Sequence, residues 1–87
     1  MEFYFKVKNG KMHLYRENGL FDEDLGELRE TFTGKLKTGN LLGENFELKD
    51  ISGVFSKGKK YSIVSSKGLQ GVIEKKTFGD RYVLKDR

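Results

Sequence analysis

The sequence contains no cysteine, no proline and a single histidine. Without cysteine there is no disulfide, no thiolate metal site and no thiol nucleophile. A fold without disulfides suits a reducing compartment, so a cytoplasmic location is expected. Without proline, every turn must be made by Gly, Asn, Asp or Ser, and eleven glycines are available for it. The lone His13 lacks a recognisable acid or nucleophile partner, which speaks against a Ser-His-Asp arrangement. With carboxylates alone it would make a poor zinc site. No catalytic residue, metal or cofactor is therefore expected.

No apolar run approaches the ~20 residues of a membrane span. The first ten residues, MEFYFKVKNG, show no basic stretch followed by an apolar core, so no signal peptide is expected. The glycines of residues 34–39 invite comparison with a phosphate loop, which needs Lys and Ser or Thr directly after the second glycine. Asn40 and Leu41 stand there instead. Asp22 and Asp24 alone resemble the alternating oxygens of a calcium loop, and a solvated acidic face accounts for them better.

What the chain does have is aromatic bulk, glycine and lysine. Its 87 residues make one domain, residues 1–87, with seven Phe and four Tyr as large core pieces. The formal net charge is +4. Residues 17–30 hold six acids and one base, a local charge of −5, which leaves +9 on the rest. Such polarisation draws anionic partners to the basic part.

Residues 51–84 organise the chain, with short apolar runs cut by Ser-Lys-Gly, Ser-Lys-Gly and Phe-Gly-Asp. Apolar runs bounded by glycine turns read as antiparallel strands joined by hairpins. At the other end of the chain, Phe3, Phe5 and Val7 alternate with Tyr4, Lys6 and Lys8, and Asn9-Gly10 follows. Asn-Gly between two alternating runs predicts a type I′ hairpin. Its register pairs Val7 with Met12, Phe5 with Leu14 and Phe3 with Arg16 on one face. Lys8 then pairs with Lys11, Lys6 with His13 and Tyr4 with Tyr15 on the other.

Phe21, Leu25, Leu28 and Phe32 recur at helical spacing, with Asp22 as a candidate N-cap. A short helix over about residues 22–32 is preferred to a strand there, although Gly26 within it costs ~1 kcal/mol. Residues 34–45 read as a short strand and a loop, residues 46–49 as a strand, and Gly53 as a bulge or barrel corner. The expectation is a mainly β fold, a small antiparallel barrel or curved sheet of about five to seven strands with at most one short helix. Its core should contain Phe3, Phe5, Val7, Leu14, Leu28, Phe32, Phe46, Leu48, Phe55, Ile63, Val72, Ile73 and Leu84.

The candidate site is the outer hairpin face. Tyr4 and Tyr15 lie there among Lys6, Lys8, Lys11 and His13, and the turn lysines Lys57, Lys59 and Lys60 extend the basic track. Rings interleaved with cations on a sheet stack unpaired bases and neutralise phosphates. The expected function is a non-enzymatic binding module for nucleic acid or another polyanion. The alternative is a protein-binding adaptor or inhibitor, acting through an exposed strand edge or the acidic segment 17–30. Lysines at turns and edges also guard against edge-to-edge aggregation.

Overall fold

The computed structural model describes residues 1–39, 43–53 and 58–85. Eight strands follow one another: β1 (Glu2–Lys8), β2 (Lys11–Asn18), β3 (Phe21–Glu30), β4 (Leu36–Thr38), β5 (Phe46–Asp50), β6 (Lys60–Ser65), β7 (Gln70–Lys75) and β8 (Tyr82–Lys85). Each pairs antiparallel with its neighbour in sequence, and β1 pairs with β8 to close a barrel. The mainly β antiparallel fold is thus present, with eight strands rather than five to seven. No helix occurs among the described residues.

The first hairpin has the register its sequence predicts, from Glu2 opposite Glu17 to Lys8 opposite Lys11. Asn9 and Gly10 both take positive φ, 53° and 78°. That is the type I′ geometry, and Asn and Gly are the residues that adopt it at least cost.

The helix expected over residues 22–32 is not formed; β3 occupies that place. The cause is a β-bulge. Tyr15 faces Asp24, but His13 faces Glu27, so Leu25 and Gly26 together lie opposite Leu14. The extra residue carries the strand over one position. Leu25 and Leu28, three apart, therefore both reach the core. A single bulge imitated the helical period. Gly26 takes φ 111°, and a Cβ there would meet the Gly39 carbonyl oxygen at 2.9 Å. Only glycine fits both the conformation and the approach of β4's end.

Phe3, Leu14, Leu25, Phe46, Leu48, Ile63 and Ile73 fill the interior completely buried, with Tyr82 beside them. Eight strands enclose about the width that side chains can fill. Phe5, Leu28 and Leu84 pack against this core half-buried, as do Leu36, Tyr61 and Leu69. Three core expectations fail. Val7 and Phe32 are exposed, because the apolar pattern runs on past the barrel wall into the first hairpin's tip and the β3–β4 turn. Val72 is only half-buried, because its neighbours Gly71 and Ile73 are the buried residues of β7. Phe55 lies outside the described residues.

Up-and-down topology sorts the connections into two sets. Those after β1, β3, β5 and β7 share one end of the barrel, called here the hairpin end. Those after β2, β4 and β6 share the opposite end. Closure rests on a short seam: two residue pairs join β1 to β8, against seven between β1 and β2.

Candidate functional site

The hairpin's outer face forms as its register requires, but β3 lies beside it and changes its chemistry. Tyr4 and Tyr15 stack at 5.1 Å between centroids, with 7° between planes. The Arg81 guanidinium covers Tyr4, 3.8 Å from the ring centroid. The Tyr4 hydroxyl donates to Asp22 at 2.6 Å. Burial and that carboxylate push its pKa up to about 12. Tyr4 is therefore a covered structural ring, packed between Tyr15 and Arg81, and not a free platform for a base.

The cations of this face are answered in the same way. Lys8 donates to Asp24 at 2.8 Å, and His13 Nδ1 lies 2.9 Å from the other oxygen of that carboxylate. The Gly26 amide also donates to Asp24. Partial burial alone would raise the Asp24 pKa, but the hydrogen bonds from Lys8, His13 and Gly26 hold it down at about 2. Lys11 and Arg29 both approach Glu27, at 3.7 and 3.8 Å. Lys6, opposite His13, remains exposed. The acidic segment and the basic hairpin are thus one neutralised wall.

A polar cluster not among the expected site residues stands at the end opposite the hairpin tip. Arg16 donates through Nε and Nη2 to Glu23, at 2.9 and 2.6 Å, and reaches Glu44 at 3.4 Å. Asn18 donates to Glu23, and Ser65 to Glu44. The Arg16 guanidinium also lies 5.5 Å from the Phe46 ring centroid. Arg16 holds the Glu23 carboxyl below its ordinary range. The signal that could have found this cluster is parity: Arg16 shares the inward face of β2 with Leu14.

Of the turn lysines, Lys59 and Lys60 lie at the hairpin end. Lys59 pairs with Asp50 at 3.2 Å and Lys60 with Glu74 at 3.3 Å. Lys57 lies outside the described residues. Counting each connection with one strand residue on either side, the described residues of the hairpin end hold eight Lys and Arg against three acids, a charge of +5. The same count at the opposite end gives Lys67 against Glu44, a charge of zero.

Exposed apolar groups stand at both ends, Leu20 and Phe21 at the β2–β3 connection and a larger set beside the charge of the hairpin end. Phe32, in the β3–β4 turn, is fully exposed, and Phe78, in the β7–β8 turn, is 87% exposed. Val7 and Met12 stand exposed near the tip of the first hairpin. Beside them a depression of about 440 Å³ is lined by Phe5, Met12, Leu28, Glu30, Leu36 and Tyr61. Its floor continues into an edge-to-face cluster in which Phe5 meets Tyr61 at 5.6 Å and Tyr82 at 5.2 Å. Among the described residues, no group of three or more His, Asp or Glu is placed to hold a metal ion. No protein-family model, curated protein or solved structure matches this chain, which leaves its function to be read from geometry and chemistry.

Proposed function

We propose that the chain is a non-enzymatic, cytoplasmic binding module that receives an anionic partner on the hairpin end of its barrel. The observation that carries this reading is the asymmetry of charge, +5 at that end against zero at the other. Several of these cations pair with acids further along the wall, Lys35 with Glu47, Lys60 with Glu74, Lys76 with Glu2 and Arg81 with Glu17. They nevertheless keep 30–46% of their side-chain surface, and the whole chain carries +4. Such an excess attracts a polyanion over a Debye length. The site shifts from the Tyr-bearing wall to the ring of turns, because the wall's charges are matched by β3.

The test is salt-dependent binding to heparin and to a short single-stranded oligonucleotide. Affinity should fall linearly with salt on logarithmic axes. Replacing Lys11, Lys59 and Lys75 by Gln should reduce that slope by about two to three. Lys67→Gln, at the opposite end, should leave it unchanged. No binding of either probe at ~50 mM salt would overturn the proposal.

One observation favours a second reading. Beyond Phe3, β1 has no ladder partner on its β8 side among the described residues. A protein partner could add a strand there, although Lys6 and Lys8 guard that edge. Such binding would persist at high salt, unlike the first.

A further inference from the structure

We propose that the anionic partner is the surface of a lipid bilayer, met end-on by the barrel, with Phe32 and Phe78 inserting at the headgroup level. This inference rests on the reading that the hairpin end binds anions and names which kind.

The two phenylalanines are held out by structure. Around Phe32, the Thr31 amide donates to the Lys35 carbonyl at 2.8 Å, and the Gly34 amide donates to the Thr31 carbonyl at 3.0 Å. Around Phe78, the Lys76 amide donates to the Arg81 carbonyl at 2.9 Å, and Lys75 Nζ donates to the Gly79 carbonyl at 2.8 Å. Both turns are therefore braced, and each presents one large ring to solvent. Neither ring belongs to the core cluster or packs against it. Each ring has lysine close by in sequence, Lys35 after Phe32 and Lys75 and Lys76 before Phe78. Aromatic groups with nearby cations are what an anionic interface accepts: rings enter the headgroup boundary while ammonium groups meet phosphates.

Geometry separates a membrane from a nucleic acid. Around the closed barrel, the β3–β4 and β7–β8 turns are four strands apart, half the circumference. The depression at Phe32 is lined by Glu30 and Thr31 and does not reach Phe78, so one strand of nucleic acid stacking on both rings would have to cross the barrel mouth. Both turns belong to the same end of the barrel, where a flat surface can approach them together. The exposed Val7 and Met12, and the apolar depression lined by Met12 and Tyr61, lie at that same end. The wall itself is charged on its outer face, by Lys6, Lys8, Asp24 and Glu47 among others, so the contact belongs to the end alone.

The experiment is co-sedimentation with vesicles of phosphatidylcholine, alone or with about 30 mol% phosphatidylserine. Heparin binding is measured in parallel. The intact protein should sediment with the serine-containing vesicles and not with phosphatidylcholine alone. Phe32→Ser combined with Phe78→Ser should weaken vesicle binding about tenfold or more. The same variant should keep its fold by circular dichroism and its heparin affinity within about twofold, since heparin offers no apolar layer. Unchanged vesicle affinity in the double variant would overturn the inference. So would heparin binding without vesicle binding, or an equal loss of oligonucleotide affinity in that variant. Loss of heparin binding in the intact protein would instead bring down the underlying anion-binding reading.

Discussion

The two ends of the barrel use charge in opposite ways. At one end, Arg16, Glu23 and Glu44 are drawn together with their side chains at most 20% exposed, and hydrogen bonds consume most of what they offer. At the hairpin end, Lys11, Lys59 and Lys60 keep 63%, 56% and 39% of their side-chain surface although each makes an ion pair. A covered pair has exchanged water for its partner, so losing one member leaves the other charged and poorly solvated. An exposed pair loses little when broken, because water replaces the partner. Charge at the first end therefore holds the fold, and charge at the second, though paired, stays open to water and to an outside partner.

The sharpest way to break this contrast is Arg16→Met, which strands two carboxylates at the covered end. It should cost about 3 kcal/mol in urea unfolding, whereas Lys59→Met at the hairpin end should not move the midpoint measurably. Equal effects would erase the distinction between the ends.

Next in size is Gly26→Ala, which tests the bulge that lets β3 turn its side chains. The new Cβ meets the Gly39 carbonyl oxygen at 2.9 Å and takes a positive φ. A loss of about 2 kcal/mol or more is expected by thermal or urea denaturation. Gly34→Ala, in the Phe32 turn, has open space around its Cβ and only the strain of its positive φ of 79°. It should cost about 1 kcal/mol.

Acid titration probes the wall between the two ends. The Asp24 pKa is depressed from 3.8 to about 2 in the folded protein. Its contribution is therefore fully present above about pH 4 and lost as pH falls toward 2. With partial exposure discounted, about 1–2 kcal/mol should disappear over that window. Asp24→Asn should flatten the corresponding part of the stability curve. If the variant's curve has the same acid limb, the hydrogen bonds from Lys8, His13 and Gly26 do not act as described.

The smallest expected effect sharpens the comparison from the hairpin end. Phe32→Ser and Phe78→Ser should each change stability by less than about 0.5 kcal/mol, as exposed positions do. A larger loss would mean that these rings serve the fold, and the reason to seek an external surface for them would vanish.

Much of the architecture was legible because its signals are local. Asn9-Gly10 between alternating runs determined both the turn and the register of seven residue pairs. Phe3, Leu14, Phe46, Leu48, Ile63 and Ile73 followed from alternation alone. What failed to show was non-local or irregular. The bulge at Gly26 placed Leu25 and Leu28 three apart on the same side, and a period of three to four reads as a helix when no bulge is assumed. The glycine that counted against the helix was the clue to the bulge. Val7 and Phe32 are as apolar as core residues, and nothing local says where the wall ends. The covering of Tyr4 needed Arg81 and Asp22, from β3 and from the approach to β8. The match between the basic hairpin and the acidic strand was open to inference, since consecutive strands are usually neighbours. It escapes notice when the acidic segment is taken for a helix.

The short seam bears on how the barrel assembles. Every other ladder joins strands adjacent in sequence, so the meander from β1 to β8 grows by local steps that close small loops. The seam alone must bring the two extremes of the chain together, for two residue pairs and the Leu84 amide bond to the Met1 carbonyl. Its entropic cost is the highest of any ladder, for no more residue pairs than the short β4–β5 ladder makes. Sealing should be the last event of folding and the first to reverse. Native-state hydrogen exchange would then show the seam amides, Leu84 among them, opening sub-globally, while the ladder between β1 and β2 exchanges only when the whole molecule unfolds.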